Sequence, residues 1–127
     1  MNEFNIIDKY LKPLALNNLS AYNLEDDIFY DKKKKLAISV DTYIEGLHFL
    51  FPYKPNLFVK KIVRASLSDL YCKGVKPQTY FISLGINKKF TNGLWLKKFK
   101  YLLNLEQKKF NISLGGGDTV YSSKLII

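Results

Sequence analysis

Two stretches of helical period bracket a run of strand formers, and this constrains the fold of the 127-residue chain more than any other feature. Pro55 suits the first turn of a helix, and a helix running from it to Lys73 meets a natural stop at Gly74. Along this helix Ile62, Ala65, Asp69 and Cys72 share one face at steps of three or four. A second helix is expected over residues 92–109. Trp95, Leu96, Phe99, Leu102 and Leu103 form its apolar face, with Lys97, Lys98, Lys100 and Lys108 outside it. Between the helices, residues 79–85 read TYFISLG, rich in aromatic and β-branched side chains, and predict a strand.

The remaining elements are shorter. Phe4, Ile7 and Leu11 predict a helix over residues 3–11 that Pro13 stops or bends, followed by an irregular stretch over 14–26. Ile28–Tyr30 and Leu36–Val40 read as strands around a charged turn, Asp31–Lys35. Ile112–Leu114 reads as a fourth strand, Gly115-Gly116-Gly117 as a turn, and Val120–Ile127 as a last strand. The order is helix, two strands, helix, strand, helix, two strands. It predicts a single α+β domain over 1–127, built as α/β layers with a mixed sheet covered by helices on one face. The final Leu125-Ile126-Ile127 is an apolar edge that seeks a cover, either further chain or a second subunit.

Composition removes several classes. With 47% hydrophobic and 24% charged residues, the chain has enough apolar material for a core and is not intrinsically disordered. Cys72 is the only cysteine, so there is no internal disulfide framework, and a lone thiol suits a reducing, cytoplasmic setting. No apolar run approaches the roughly 20 residues of a membrane span, and the first ten residues lack a leader pattern. The net charge of +9 invites a nucleic-acid reading. Against it, Arg64 is the only arginine among 20 basic residues, and arginine is the residue that makes bidentate contacts to phosphate and guanine. No helix-turn-helix, zinc or RNA-recognition signature is present, and neither nucleic acid nor membrane is expected as a partner.

The acids are more informative. Asp26-Asp27 precedes the first strand, Asp41 follows the second, Asp69 lies on an apolar helix stripe, and Asp118 follows the triple glycine. Singly, each has a plain structural reading: a turn or cap for a strand-end Asp, or Lys73 at i+4 for Asp69. Together, four carboxylates at element ends can converge at one rim of a sheet. A divalent cation such as Mg²⁺ favours hard oxygen ligands and commonly bridges carboxylates to substrate phosphates. Glycines beside such a site let backbone approach a phosphate.

Four segments, in this order and spacing, carry a resemblance. They are LEDD at 24–27, VDTYIEGLHF at 40–49, SLSDLYCKGVKPQ at 66–78 and GGDT at 116–119. Together they resemble the N-terminal domain of the thiamine-monophosphate kinases, within the aminoimidazole-ribonucleotide-synthetase-like superfamily. The resemblance implies transfer of the terminal phosphoryl group of ATP to thiamine monophosphate, with Mg²⁺. It implies Asp27, Ser39, Asp41, Asp69 and Asp118 as metal ligands, Gly117 with Asp118 as ATP contacts, and His48 as a contact to the thiamine substrate; it assigns no catalytic residue. It also implies a homodimer in which two sheets join across an interface, and a C-terminal domain that this chain lacks. The expected role is therefore the N-terminal portion of such a kinase, unable to complete the reaction alone.

The sequence departs from the family pattern in places. Asn23-Leu24-Glu25 stands where the family has Gly-x-Gly, which puts metal binding beside Asp27 in question. Val40 replaces a Thr or Ser, and Tyr71-Cys72-Lys73 replaces small residues. Two other readings stay open: a non-catalytic dimerisation domain, and a basic nucleic-acid-binding module.

Overall fold

The computed structural model describes residues 2–51, 54–89 and 91–127. The chain opens with α1 (Glu3–Ile6), which Asn2 caps by accepting the Asn5 N–H at 2.9 Å. It does not stop at Pro13. A π turn, Ile7–Leu11, leads into α2 (Lys12–Ala15), and the Lys12 N–H reaches back five residues to the Ile7 carbonyl. Pro13 then falls in the first turn of α2, where its missing N–H breaks no hydrogen bond. Residues Leu19–Leu24 form a 3₁₀ turn in place of the irregular stretch expected there. Within it Tyr22, Asn23 and Leu24 are left-handed, with φ of 47°, 56° and 57°.

Strands β1 (Ile28–Asp31) and β2 (Leu36–Ser39) form an antiparallel hairpin with Ile28 opposite Ser39 and Asp31 opposite Leu36. The lysine loop between them closes where the Asp31 carboxylate accepts the Lys34 N–H at 3.0 Å.

The second half is a βαβ unit. Helix α3 (Asn56–Cys72) ends at Gly74, whose φ of 71° is the left-handed stop expected of it. Strand β3 (Thr79–Ile86) then runs parallel to β4 (Ser113–Tyr121), and α4 (Gly93–Phe110) makes the crossover. Asn92 caps α4 by accepting the Trp95 N–H at 3.0 Å.

The core lies between the two helices and the inner face of β3. Phe58, Val59 and Ile62 come from α3, Trp95, Phe99 and Leu102 from α4, Leu84 from β3, and Leu125 from the segment after β4. Trp95 and Phe99 stack with ring centroids 5.0 Å apart. Leu84 is buried, whereas Phe81, on the opposite face of β3, is 74% exposed. The helices therefore cover one face of this strand pair, as expected. Glu106 lies on the buried stripe of α4 and accepts two hydrogen bonds from Arg64 of α3, at 2.8 and 3.1 Å. The single arginine thus joins two helices.

Two sequence readings are corrected here. First, the strands form two separate two-stranded sheets among the described residues, not one mixed sheet. Ile126 bridges Gly85 of β3 on one side and Ile44, in the loop after β2, on the other. Second, Gly115-Gly116-Gly117 is not a turn but the middle of β4. Gly117 pairs with Ile82 at a φ of 153°, and a Cβ there would sit 1.8 Å from the Ile82 carbonyl oxygen. The glycine run thus lets two parallel strands meet. The last expected strand shortens accordingly: β4 ends at Tyr121, and residues 122–127 follow as a non-helical strap.

Among the described residues no helix is long and apolar enough to cross a membrane.

Candidate functional site

Ser39, the last residue of β2, faces the final turns of α3. Its hydroxyl donates to Asp69 Oδ2 at 3.0 Å. Ser68 donates to the Ala65 carbonyl at 2.6 Å, and its oxygen lies 3.5 Å from the other Asp69 oxygen. An Asp on an otherwise apolar stripe is therefore held by hydroxyls. The ion pair offered by helical spacing does not form, because Lys73 reaches across to Asp26 at 2.6 Å.

That pair has a pH signature. The Lys73 ammonium, by hydrogen bond and by charge, holds the Asp26 carboxyl below its ordinary value, and Asp26 in turn raises Lys73. A depressed carboxyl contributes stability that is present above its unfolded pKa, about 3.9, and is lost as pH falls through the folded value. Lys73→Ala should therefore lower the denaturation midpoint at neutral pH. The gap to wild type should close on acidification below the usual carboxylate range, and it should narrow in high salt. Urea melts across pH check this; a gap independent of pH would refute the pair's contribution.

Asp41 lies just beyond β2 and is exposed. The Tyr43 hydroxyl donates to Asp41 Oδ2 at 3.1 Å and lies 3.3 Å from Ser66 Oγ on α3. Burial, reinforced by the charges of Asp41 and Asp69, raises the phenol above its ordinary pKa, so it stays protonated and able to donate. His48, further along the same loop, accepts the Ile44 N–H at Nδ1 (2.9 Å), which leaves the ring proton on Nε2. Its ring meets Tyr43 edge-on, with centroids 6.0 Å apart.

The other predicted residues lie apart from this network. Asp27 is exposed next to the Asp26–Lys73 pair, and its negative charge also acts on Lys73. Glu25 has a φ of −97°, so no glycine is needed there; Asn23 takes up one of the left-handed positions, which asparagine tolerates. Glu25 itself pairs with Lys12 at 2.8 Å. Asp118 sits on β4 opposite Ser83, exposed, with Oδ1 accepting the N–H of Thr119 at 2.8 Å.

The expected convergence of four carboxylates is thus realised in part. Hydroxyls link Ser39 to Asp69 and Asp41 to the same helix, whereas Asp118 and Gly117 belong to the other sheet. Among the described residues no three His, Cys, Asp or Glu side chains are grouped to hold a metal ion. The donors are nevertheless hard oxygens, carboxylate and hydroxyl. They suit Mg²⁺, which keeps waters and takes one or two carboxylates together with phosphate oxygens rather than an all-protein cage.

Sequence reasoning missed Tyr43 and Ser66 as parts of this region. Tyr43 two residues after Asp41, and Ser66 one turn before Asp69, were available as spacing signals. Their meeting depends on the approach of the loop to α3, which spacing does not reveal.

The chain is similar to known proteins in sequence and in fold. The thiamine-monophosphate kinase of Buchnera aphidicola subsp. Acyrthosiphon pisum is 38% identical over 121 residues, which is 92% of this chain and 37% of the relative. The Haemophilus influenzae thiamine-monophosphate kinase is 32% identical over 123 residues. The chain thus spans little more than a third of the length of the curated relatives it matches, 37% in each case. Thiamine monophosphate kinase from Aquifex aeolicus superposes over 98% of this chain and 39% of its own with a TM-score of 0.81, and at 24% identity it shows the fold. A structure of AaThiL complexed with AMPPCP and TMP superposes equally well, with a TM-score of 0.81 at 25% identity. Residues 24–127 match the family described as AIR synthase related protein, N-terminal domain, and the chain belongs to that family.

Proposed function

We propose that this chain is the nucleotide- and metal-binding N-terminal portion of a thiamine-monophosphate kinase that works as a homodimer in the cytoplasm. In that reaction the bond between the terminal phosphorus of ATP and its bridging oxygen breaks, and a new bond forms to a phosphate oxygen of thiamine monophosphate. ADP leaves, and thiamine diphosphate is the product. The observation that carries the reading is that Ser39 contacts Asp69 of α3 while Asp41 reaches Ser66 of the same helix through Tyr43, in a chain similar over 92% of its length to such a kinase. One relative was captured with AMPPCP and TMP together.

In this reading Asp27, Ser39, Asp41, Asp69 and Asp118 hold Mg²⁺, which when bound would neutralise charge on the phosphates. Gly117 and Asp118 contact the nucleotide phosphates, and His48 contacts the thiamine substrate. Nε2 of His48, which carries the ring proton, is the atom free to donate to it. The lysine-rich surface draws in the polyanionic nucleotide over long range. Completion of the reaction falls to the remainder of a full-length enzyme.

Titration calorimetry with a non-hydrolysable ATP analogue tests this. Affinity should rise with Mg²⁺, and Asp41→Asn or Asp118→Asn should each weaken the Mg²⁺-dependent part by about tenfold or more, the size of one lost charge-assisted contact. Equal affinity with and without Mg²⁺ would overturn the assignment.

One observation favours a second reading, a dimerisation domain that binds no nucleotide. Strands β3 and β4 leave Phe81, Leu114, Val120 and Tyr121 at least half exposed. It predicts a stable dimer by light scattering together with a flat calorimetric trace.

A further inference from the structure

The loop that carries Asp41 and His48 is anchored twice. Its backbone is tied to the strap at residues 122–127. The Tyr43 N–H donates to the Ile127 carbonyl (2.6 Å), and the Ile127 N–H donates back to the Tyr43 carbonyl (2.9 Å). The Glu45 N–H donates to the Leu125 carbonyl (2.9 Å), and the Glu45 carboxylate accepts the Leu125 N–H (2.8 Å). Nothing in this backbone anchoring sets the position of the Asp41 side chain relative to α3. The second anchor does. Tyr43 is half-buried and packed against the core cluster, and its hydroxyl touches both Asp41 and Ser66.

The protons on this chain of contacts can be assigned. The Asp41 carboxylate only accepts, and a phenol carries one proton, so Tyr43 donates to Asp41. Ser66 is then left to donate to the phenol oxygen. Ser66 stands one helical turn before Asp69, whose Oδ2 is held from the other side by Ser39. Two carboxylates from different elements are therefore each held by hydroxyls beside α3, Asp41 through Tyr43 and Ser66, and Asp69 by Ser39.

We propose that Tyr43 is a positioning residue for the metal–nucleotide site: its hydroxyl, shared between Asp41 Oδ2 and Ser66 Oγ, sets the placement of Asp41 relative to Asp69, the two carboxylates that would share a divalent cation. The proposal rests on the functional reading above. In it Tyr43 acts through Asp41 and needs no contact of its own with nucleotide or metal. A phenylalanine here would fill the same space and lose only the hydroxyl contacts.

The test is Tyr43→Phe, with Ser66→Ala as a second variant and the double variant to close the cycle. Calorimetry measures AMPPCP binding with and without Mg²⁺, and amide exchange follows residues 40–49. Tyr43→Phe should weaken Mg²⁺-dependent binding about tenfold, the scale of one hydrogen bond to a charged group, and leave Mg²⁺-free nucleotide affinity unchanged. Ser66→Ala should weaken it less, and the double variant should match Tyr43→Phe. Unchanged Mg²⁺-dependent binding in Tyr43→Phe overturns the proposal and leaves the functional reading standing. Equal loss of Mg²⁺-dependent and Mg²⁺-free binding makes Tyr43 merely structural and also overturns it. If wild type itself binds no Mg²⁺–nucleotide, the functional reading fails. Exchange then decides the positioning claim: faster exchange over 40–49 in Tyr43→Phe, with α3 and α4 unchanged, sustains it, and no change ends it.

Discussion

Gly117→Ala is expected to leave the chain without a cooperative folded state. The new methyl carbon would lie 1.8 Å from the Ile82 carbonyl oxygen, 2.7 Å from its carbon and 2.9 Å from the Ile82 nitrogen. All three are backbone atoms of the neighbouring strand, so no side-chain rotation relieves the overlap. The φ of 153° adds a conformation that residues with a Cβ avoid. Relief requires β3 and β4 to separate, and with them the inner strand face that carries Leu84 into the core. A loss above about 4 kcal/mol belongs to the small class of mutations that force such strain, against a total of about 5–15 kcal/mol for an ordinary domain. Gly93→Ala is the control. It stands at the start of α4 with open space for at least 4 Å around the point a methyl would occupy, and it should change stability by less than about 1 kcal/mol. Circular-dichroism melts distinguish the two, and a wild-type melt for Gly117→Ala would show that the β3–β4 register is wrong.

Leu125→Ala should be the next most damaging change, at about 2–5 kcal/mol, the cost of truncating a fully buried leucine. Leu125 is 0% exposed and packs into the same cluster as Val59, Trp95 and Leu102. Its backbone also exchanges hydrogen bonds with Glu45, so loosening it loosens the loop that carries Asp41 and His48. Val120→Ala, five residues earlier, removes a comparable side chain that is 53% exposed and should cost less than about 1 kcal/mol. Urea denaturation of both variants checks the contrast; equal costs would mean that the strap does not pack as described.

Much of the fold was legible because its signals are local. The apolar stripe at Trp95, Phe99 and Leu102 follows from helical period, and the same stripe is the buried face of α4. Gly74 stops α3 through backbone chemistry of its own. The α+β class and the family followed from these elements and from four short motifs. Local signals failed where a neighbour in space overrode them. Pro13 would end a helix whose hydrogen bonds keep i−4 spacing, but a π turn ahead of it removes the conflict. Three glycines suggest a turn until a second strand needs room for its carbonyl. Lys73 suits Asp69 by spacing, but Asp26 lies closer once the chain before β1 folds against the end of α3.

The sequence by itself therefore determined where the two long helices and the strands before them lie, which faces of the helices are apolar and which side-chain oxygens the chain carries. Periods of 3.6 and 2 and the caps that interrupt them are properties of neighbouring residues. Only the tertiary structure decided which of those oxygens meet. Ser39 with Asp69, and Asp41 with Ser66 through Tyr43, are pairs from different elements, and a contact at 3 Å depends on how those elements pack.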